Sequence, residues 1–299
     1  MRRFILIGSL FSLLSTFAYV PVFAETTERM QAQKVDLAGR QRMLSQRLAK
    51  AACFIATFSD VEEHRQILLQ TADLLKVSHD ALKNGSSQEG FLPENNNAIR
   101  EELDKLDSVL EMLDFGARLL GESAALPGLG VDLIAQYNLK ALAQFERVVK
   151  IMEMEYASDQ QVTNGQARVL NIAGRQRMLI QKAAKEFCLI TYGVDVDQNR
   201  ASLAKTVHTF DVAIEDLRSG NPRQGISAVP TLEIRNELSQ IKVDWQSPRG
   251  VLLAVASGFQ ARTSDFEKIA KSNENLLRGA NQVVQMLVEY YKDAATPQE

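Results

Sequence analysis

Two arginines are the residues of this chain best placed to do chemistry. Arg42 lies in the hexapeptide Ala38-Gly39-Arg40-Gln41-Arg42-Met43, and Arg177 lies in an identical hexapeptide far along the chain, Ala173-Gly174-Arg175-Gln176-Arg177-Met178. A guanidinium is always charged and presents five N–H donors in a planar fork. That fork matches a planar oxyanion better than a lysine ammonium does. Two such groups side by side repel, by about 4 kcal/mol at ~4 Å and an effective dielectric of ~20. An anion between them removes the repulsion and fills both forks. The chemistry expected of the pair is recognition of a small anion, with no bond made or broken.

The helices that carry the arginines decide whether they can meet. On a helical wheel Leu37, Leu44, Leu48 and Ile55 form one stripe, the helix's share of its own bundle core. A second stripe passes through Arg42: Val35, Gly39, Arg42, Gln46, Ala49, Cys53 and Ala56, at spacings alternating four and three. Its copy reads Leu170, Gly174, Arg177, Gln181, Ala184, Cys188 and Thr191. Alternating spacing of this kind makes a heptad seam, and its small residues permit close approach. The pattern predicts that each arginine helix packs on its twin, roughly parallel, with Arg42 beside Arg177. The alternative is that the small residues face a neighbour within one bundle. Gly39 and Gly174, a turn before the arginines, would let backbone approach a ligand. Gln46 and Gln181, a turn beyond, add possible donors. Arg40, Arg175, Arg47 and Lys182 fall on another side, as a solvated face or as partners of acidic neighbours.

The repeat reaches far beyond the hexapeptide. Fourteen of the twenty-four residues from Ala38 to Val61 match their partners in the second copy, without a gap, so this is a duplicated domain and not a short solenoid unit. A duplicated site can meet its copy across a pseudo-two-fold axis, as in a homodimer. Apolar residues recur at helical spacing, with few prolines and breaks at Asn84-Gly85-Ser86-Ser87, near Pro93, at Pro127-Gly128-Leu129-Gly130 and at Gly220-Asn221-Pro222. Four helices per half are expected, over roughly 28–58, 60–84, 94–121 and 131–157, then 162–192, 195–219, 231–257 and 260–292. Pro248 and Gly250 are expected to kink the third helix of the second half without ending it, with Trp245 packed at the kink. The fourth helix is expected to run almost directly into the fifth, near Asn164-Gly165. The fold class is all-α: two tandem up-and-down four-helix bundles related by a pseudo-two-fold, over 25–159 and 160–299.

Residues 1–24 read as an export signal, with Arg2 and Arg3 as basic head, an apolar stretch, and Val22-Phe23-Ala24 before the cut. An uncleaved anchor is the alternative. No second apolar run of spanning length follows, so a soluble protein of the bacterial periplasm is expected. The formal net charge of −3, made more negative by loss of Arg2 and Arg3, argues against nucleic acid as partner. His64, His79 and His208 are scattered and do not share repeat positions, so exposed helical histidines are expected and no metal site. No nucleophile with its base is apparent, hence no enzyme and no cofactor.

The helix Asp36 to Arg47, with its copy Asn171 to Lys182, resembles the opening helix of PilJ-type and NarX-like sensor domains, the periplasmic four-helix modules of chemoreceptors and nitrate/nitrite sensor kinases. The resemblance covers nearly the whole mature chain, though outside these helices it is pattern and not motif. It implies nitrate or nitrite bound at a dimer-like interface, with the arginine before the methionine as main contact from each side. That carries over to Arg42 and Arg177, supported by Gly39 and Gly174. Such family members usually hold one domain between two membrane spans, ahead of signalling modules. Two domains without a second span imply a secreted binding protein that reports to a membrane-bound sensor or receptor. The other function class is a helical interaction protein that docks on such a sensor without binding a ligand.

Cys53 and Cys188 lie on the arginine face, eleven residues beyond Arg42 and Arg177. Parallel twin helices would bring the two sulfurs together, and an oxidising compartment would allow a disulfide. Two reduced, buried thiols on a tight seam are the alternative.

Overall fold

In the computed structural model of the protein, residues 22–57, 61–88, 90, 92–122, 127–157 and 164–295 are described. Most of the export-signal reading and residues 158–163 lie outside them; Asn164 and Gly165, where the joint between the halves is expected, begin the sixth helix. Among the described residues nine α-helices account for nearly all the chain: α1 (Val22–Ala56), α2 (Val61–Asn84), α3 (Asn97–Asp104), α4 (Asp107–Gly121), α5 (Pro127–Ala157), α6 (Asn164–Tyr192), α7 (Val196–Ser219), α8 (Leu232–Ala256) and α9 (Thr263–Ala295). None of them is long and apolar enough to cross a membrane.

The helix ends follow from side chains at fixed offsets. Asn96 caps α3 by accepting from the N–H groups of Ala98 and Ile99, and Thr231, its match in the repeat register, caps α8 by accepting from Ile234. The turn before each cap is also built twice. Gly85 and Gly220 have φ of 83° and 79°, and Gly90 and Gly225 have φ of 73° and 64°, values that glycine adopts freely.

Two expectations need correction. The third helix of the first half is not continuous over 94–121. Leu106 turns fully inward through an i→i+3 bond from its N–H to the Leu103 carbonyl, at 2.9 Å, and this tightening separates α3 from α4. The third helix of the second half agrees with expectation in not ending at Pro248: α8 continues through it, with Trp245 buried beneath it and donating to Asp211 Oδ1 at 2.8 Å. His64 and His79, expected at the surface, are buried; His208 is exposed. His64, Leu68, Leu75, His79 and Leu82 share the inward stripe of α2. The His64 ring stacks on Phe54 with centroids 4.7 Å apart, and His79 Nε2 meets Asp107 Oδ1 at 2.9 Å.

In the first half α1, α2, α4 and α5 pack in a closed ring, with α3 leading into α4; in the second half α6, α7, α8 and α9 do the same. The contact between α1 and α6 is the most extensive of any helix pair. The apolar core is one cluster that runs through both rings across this junction. The seam therefore lies at the centre of the molecule.

Candidate anion site on the α1–α6 seam

The helices α1 and α6 run parallel: the crossed arginine contacts share one level, Lys185 meets Gln46 beyond them, and the cysteines meet farther along both helices. Asp36 meets Arg177 and Arg42 meets Asn171 near one end; Cys53 and Cys188 form a disulfide farther along, with Cα atoms 6.0 Å apart. The arginine contacts are reciprocal. Arg42 Nη2 donates to Asn171 Oδ1 at 2.9 Å, and Arg177 Nη2 donates to Asp36 Oδ1 at 2.8 Å, where Asn171 is the repeat counterpart of Asp36. Both side chains are buried.

Each guanidinium curls back over its own glycine. Arg42 Nε donates to the Gly39 carbonyl at 3.4 Å, and Arg177 Nε to the Gly174 carbonyl at 3.3 Å. A Cβ on either glycine would lie 3.2 Å from Nη2 of that arginine. In the structure the missing side chains make room for the guanidinium itself, a different use from the ligand approach expected of them.

The arginines are also not a bare repelling pair. Arg42 Nη1 meets Glu146 Oε2 at 3.1 Å, and the other oxygen of Glu146 accepts from Arg175 Nη2 at 3.3 Å. Burial pulls the Arg42 pKa below its ordinary value, and the Glu146 carboxylate opposes that shift. A helical wheel gives the face on which Arg42 lies. It does not report the acceptors that α5 brings to that face.

Beyond the arginines the seam carries polar groups that the sequence reading missed. Lys50 and Lys185, another matched pair of the repeat, are almost wholly buried. Lys50 Nζ donates to Asn273 Oδ1 at 2.9 Å and to Glu274 Oε1 at 2.6 Å. Lys185 Nζ donates to Gln46 Oε1 at 2.9 Å and Asn138 Oδ1 at 3.1 Å. Gln46 is thus engaged with Lys185 and with the Asn138 carbonyl, at 3.5 Å, while neither polar atom of the buried Gln181 has a hydrogen-bond partner among the described residues. The duplicated Lys and Asn positions were visible as matches in the repeat; their inward direction was not.

A cavity of about 320 Å³ opens against Arg42 and is lined also by Asn171 of α6 and by Glu146, Lys150 and Glu153 of α5. Burial pushes the Glu153 carboxyl above its usual range; Glu146 adds to that shift and Arg42 counters it.

The PilJ family, the N-terminal part of type IV pili methyl-accepting chemotaxis transducers, matches residues 25–115 and again 160–283, together well over half the chain. The chain belongs to the PilJ family. The two matched stretches contain α1 from residue 25 and all of α6, with the arginines, glycines, lysines and cysteines of the seam; Asn138, Glu146, Lys150 and Glu153 of α5 lie outside both. A methyl-accepting chemotaxis protein of Pseudomonas aeruginosa, McpN, is 28% identical over 118 residues. That match covers 40% of this chain and 21% of McpN, so the PilJ-family chain corresponds to only a minor part of that relative's length.

Proposed function

We propose that the protein is a sensory binding protein for a small oxyanion, nitrate or nitrite by resemblance, held where Arg42 and Arg177 approach the α1–α6 seam. The observation that carries this reading is the reciprocal pair of buried arginines. Each is rooted on its own glycine and each reaches across to the other half. Their contacts fit two duplicated halves set about a pseudo-two-fold axis. Glu146 and Asp36 then act as internal carboxylates on the forks, and an incoming oxyanion replaces them with the same donor geometry. Membership of a chemotaxis-transducer family, the leader-like residues 1–24 and the disulfide support a sensory role in the periplasm, with a membrane-bound receptor as partner.

Calorimetry with nitrate and nitrite tests the reading. One anion per chain is expected. Arg42→Ala and Arg177→Ala should each lower affinity at least a hundredfold, and Arg40→Ala, on the exposed side of α1, should leave it within twofold. Two equal independent sites, or binding unaffected by both seam arginines, would sink it. A second reading has one observation in its favour: Glu146 and Asp36 already partner the arginines. On that reading the protein is a helical docking module, and no oxyanion gives heat.

A further inference from the structure

The cavity against Arg42, about 320 Å³, is of a size that ordinary small organic ligands occupy. A four-atom anion fills only a small part of such a space, since one water takes ~30 Å³ of liquid. Arg42 has five N–H groups. Gly39, Glu146 and Asn171 accept from one on each nitrogen, which leaves one N–H on each terminal nitrogen for a further acceptor.

Glu153 lines the same cavity two turns along α5 from Glu146, a rise of ~10 Å. The two carboxyls differ. Glu146 is committed to Arg42 and Arg175, whereas Glu153 is half-buried with no hydrogen-bond partner described. Arg147 and Lys150 also line the cavity, but both are exposed, so water screens their charge, and Arg147 is turned toward Gln144 and Glu102. The second half has no such acceptor: at the places that match Glu146 and Glu153 stand Asn281 and Val288. The cation-accepting end is thus peculiar to the Arg42 side and is not part of the repeated arginine motif.

We propose that this cavity binds a zwitterion of the ω-amino-acid type, with its carboxylate on the unfilled N–H groups of Arg42 and its ammonium on Glu153. The proposal rests on reading Arg42 as an anion receptor and adds the second, cationic end of the ligand. Charges several bonds apart suit the two-turn separation better than the adjacent charges of an α-amino acid.

Calorimetry on the full exported chain with butyrate and γ-aminobutyrate, which differ by the ammonium alone, tests it, with nitrate as control. γ-Aminobutyrate should bind at least tenfold more tightly than butyrate. Glu153→Gln should shrink that ratio below twofold while nitrate still binds, no more weakly than to the native chain. Arg42→Ala should remove both γ-aminobutyrate and nitrate, with circular dichroism confirming that each variant is folded. Equal affinity for the matched pair, or nitrate binding with no γ-aminobutyrate binding, overturns the zwitterion and spares the oxyanion reading. γ-Aminobutyrate bound through Arg42 and Glu153 with no nitrate or nitrite bound keeps the zwitterion and overturns the oxyanion reading. No binding of any of these probes removes both.

Discussion

Lys50 and Lys185 occupy matching positions and keep very different company. Glu274 faces Lys50, while its counterpart in the first half is the exposed Leu139, so Lys185 meets only the neutral oxygens of Gln46 and Asn138. Burial lowers the pKa of both, that of Lys185 to about 8; Glu186 counters the shift of Lys185 and Lys182 adds to it. An unfolded lysine keeps its proton until ~10.4. Between about 8 and that value the unfolded chain binds more protons than the folded one, so Lys185 makes stability rise with pH across this window. Urea denaturation at both ends of the window should show the native chain gaining on the order of 3 kcal/mol more than Lys185→Met. Only the slope is diagnostic, because the variant also strips a donor from Gln46 and Asn138. Parallel pH dependence in the two proteins would mean that Lys185 reaches water. At this scale the sequence was legible as to face and not as to partner. The wheel put Arg42, Gln46 and Cys53 on one seam, but Glu146 lies 104 residues from Arg42 and no local spacing links them. The same limit hid the buried histidines less completely, since His64 and His79 keep helical register with Leu68, Leu75 and Leu82.

Between elements, the two halves hold the N-terminal half of their first helix by opposite means. Lys34 of α1 donates to Glu94 in the loop before α3 at 3.1 Å, and Glu94 also accepts from Tyr156 and from the Asn96 N–H. Burial alone would raise the Glu94 pKa, but these three donors outweigh it and hold the carboxyl below its usual range. At the matching places of the second half stand Val169 and Val229, both buried. The molecule thus contains an ion pair and its apolar replacement in one framework. Glu94→Val alone strands a buried ammonium and should cost about 3–5 kcal/mol. Adding Lys34→Val should recover most of that loss, leaving only the Tyr156 and Asn96 donors unmatched. A chemical-denaturation double-mutant cycle measures it, and additive losses would show that the pair is not coupled. Helix order was readable from apolar spacing because each helix buries one stripe. The break between α3 and α4 was not, because Leu106 is apolar in either case and only the packed ring makes it turn inward.

For the whole molecule, the disulfide closes a loop of 135 residues between α1 and α6. In the chain-entropy model that restricts the unfolded state by about 5 kcal/mol. Reduction, or Cys53→Ser with Cys188→Ser, should lower the free energy of unfolding by a large part of that amount; unchanged denaturation midpoints would deny the bond any such role. The parallel seam that brings the two cysteines together was legible because the repeat is gapless and the heptad spacing is copied with it. Which end of the seam is fastened has a mechanical consequence. Cys53 lies eleven residues beyond Arg42, a rise of ~16 Å, while α1 extends from Cys53 back to Val22 over ~46 Å. A pair of stiff rods pinned at that bond would open like tongs. A ligand that parted the arginines by ~1 Å would swing the far end of α1 by ~3 Å, and distances between spin labels near that end, with and without nitrate, would register the swing.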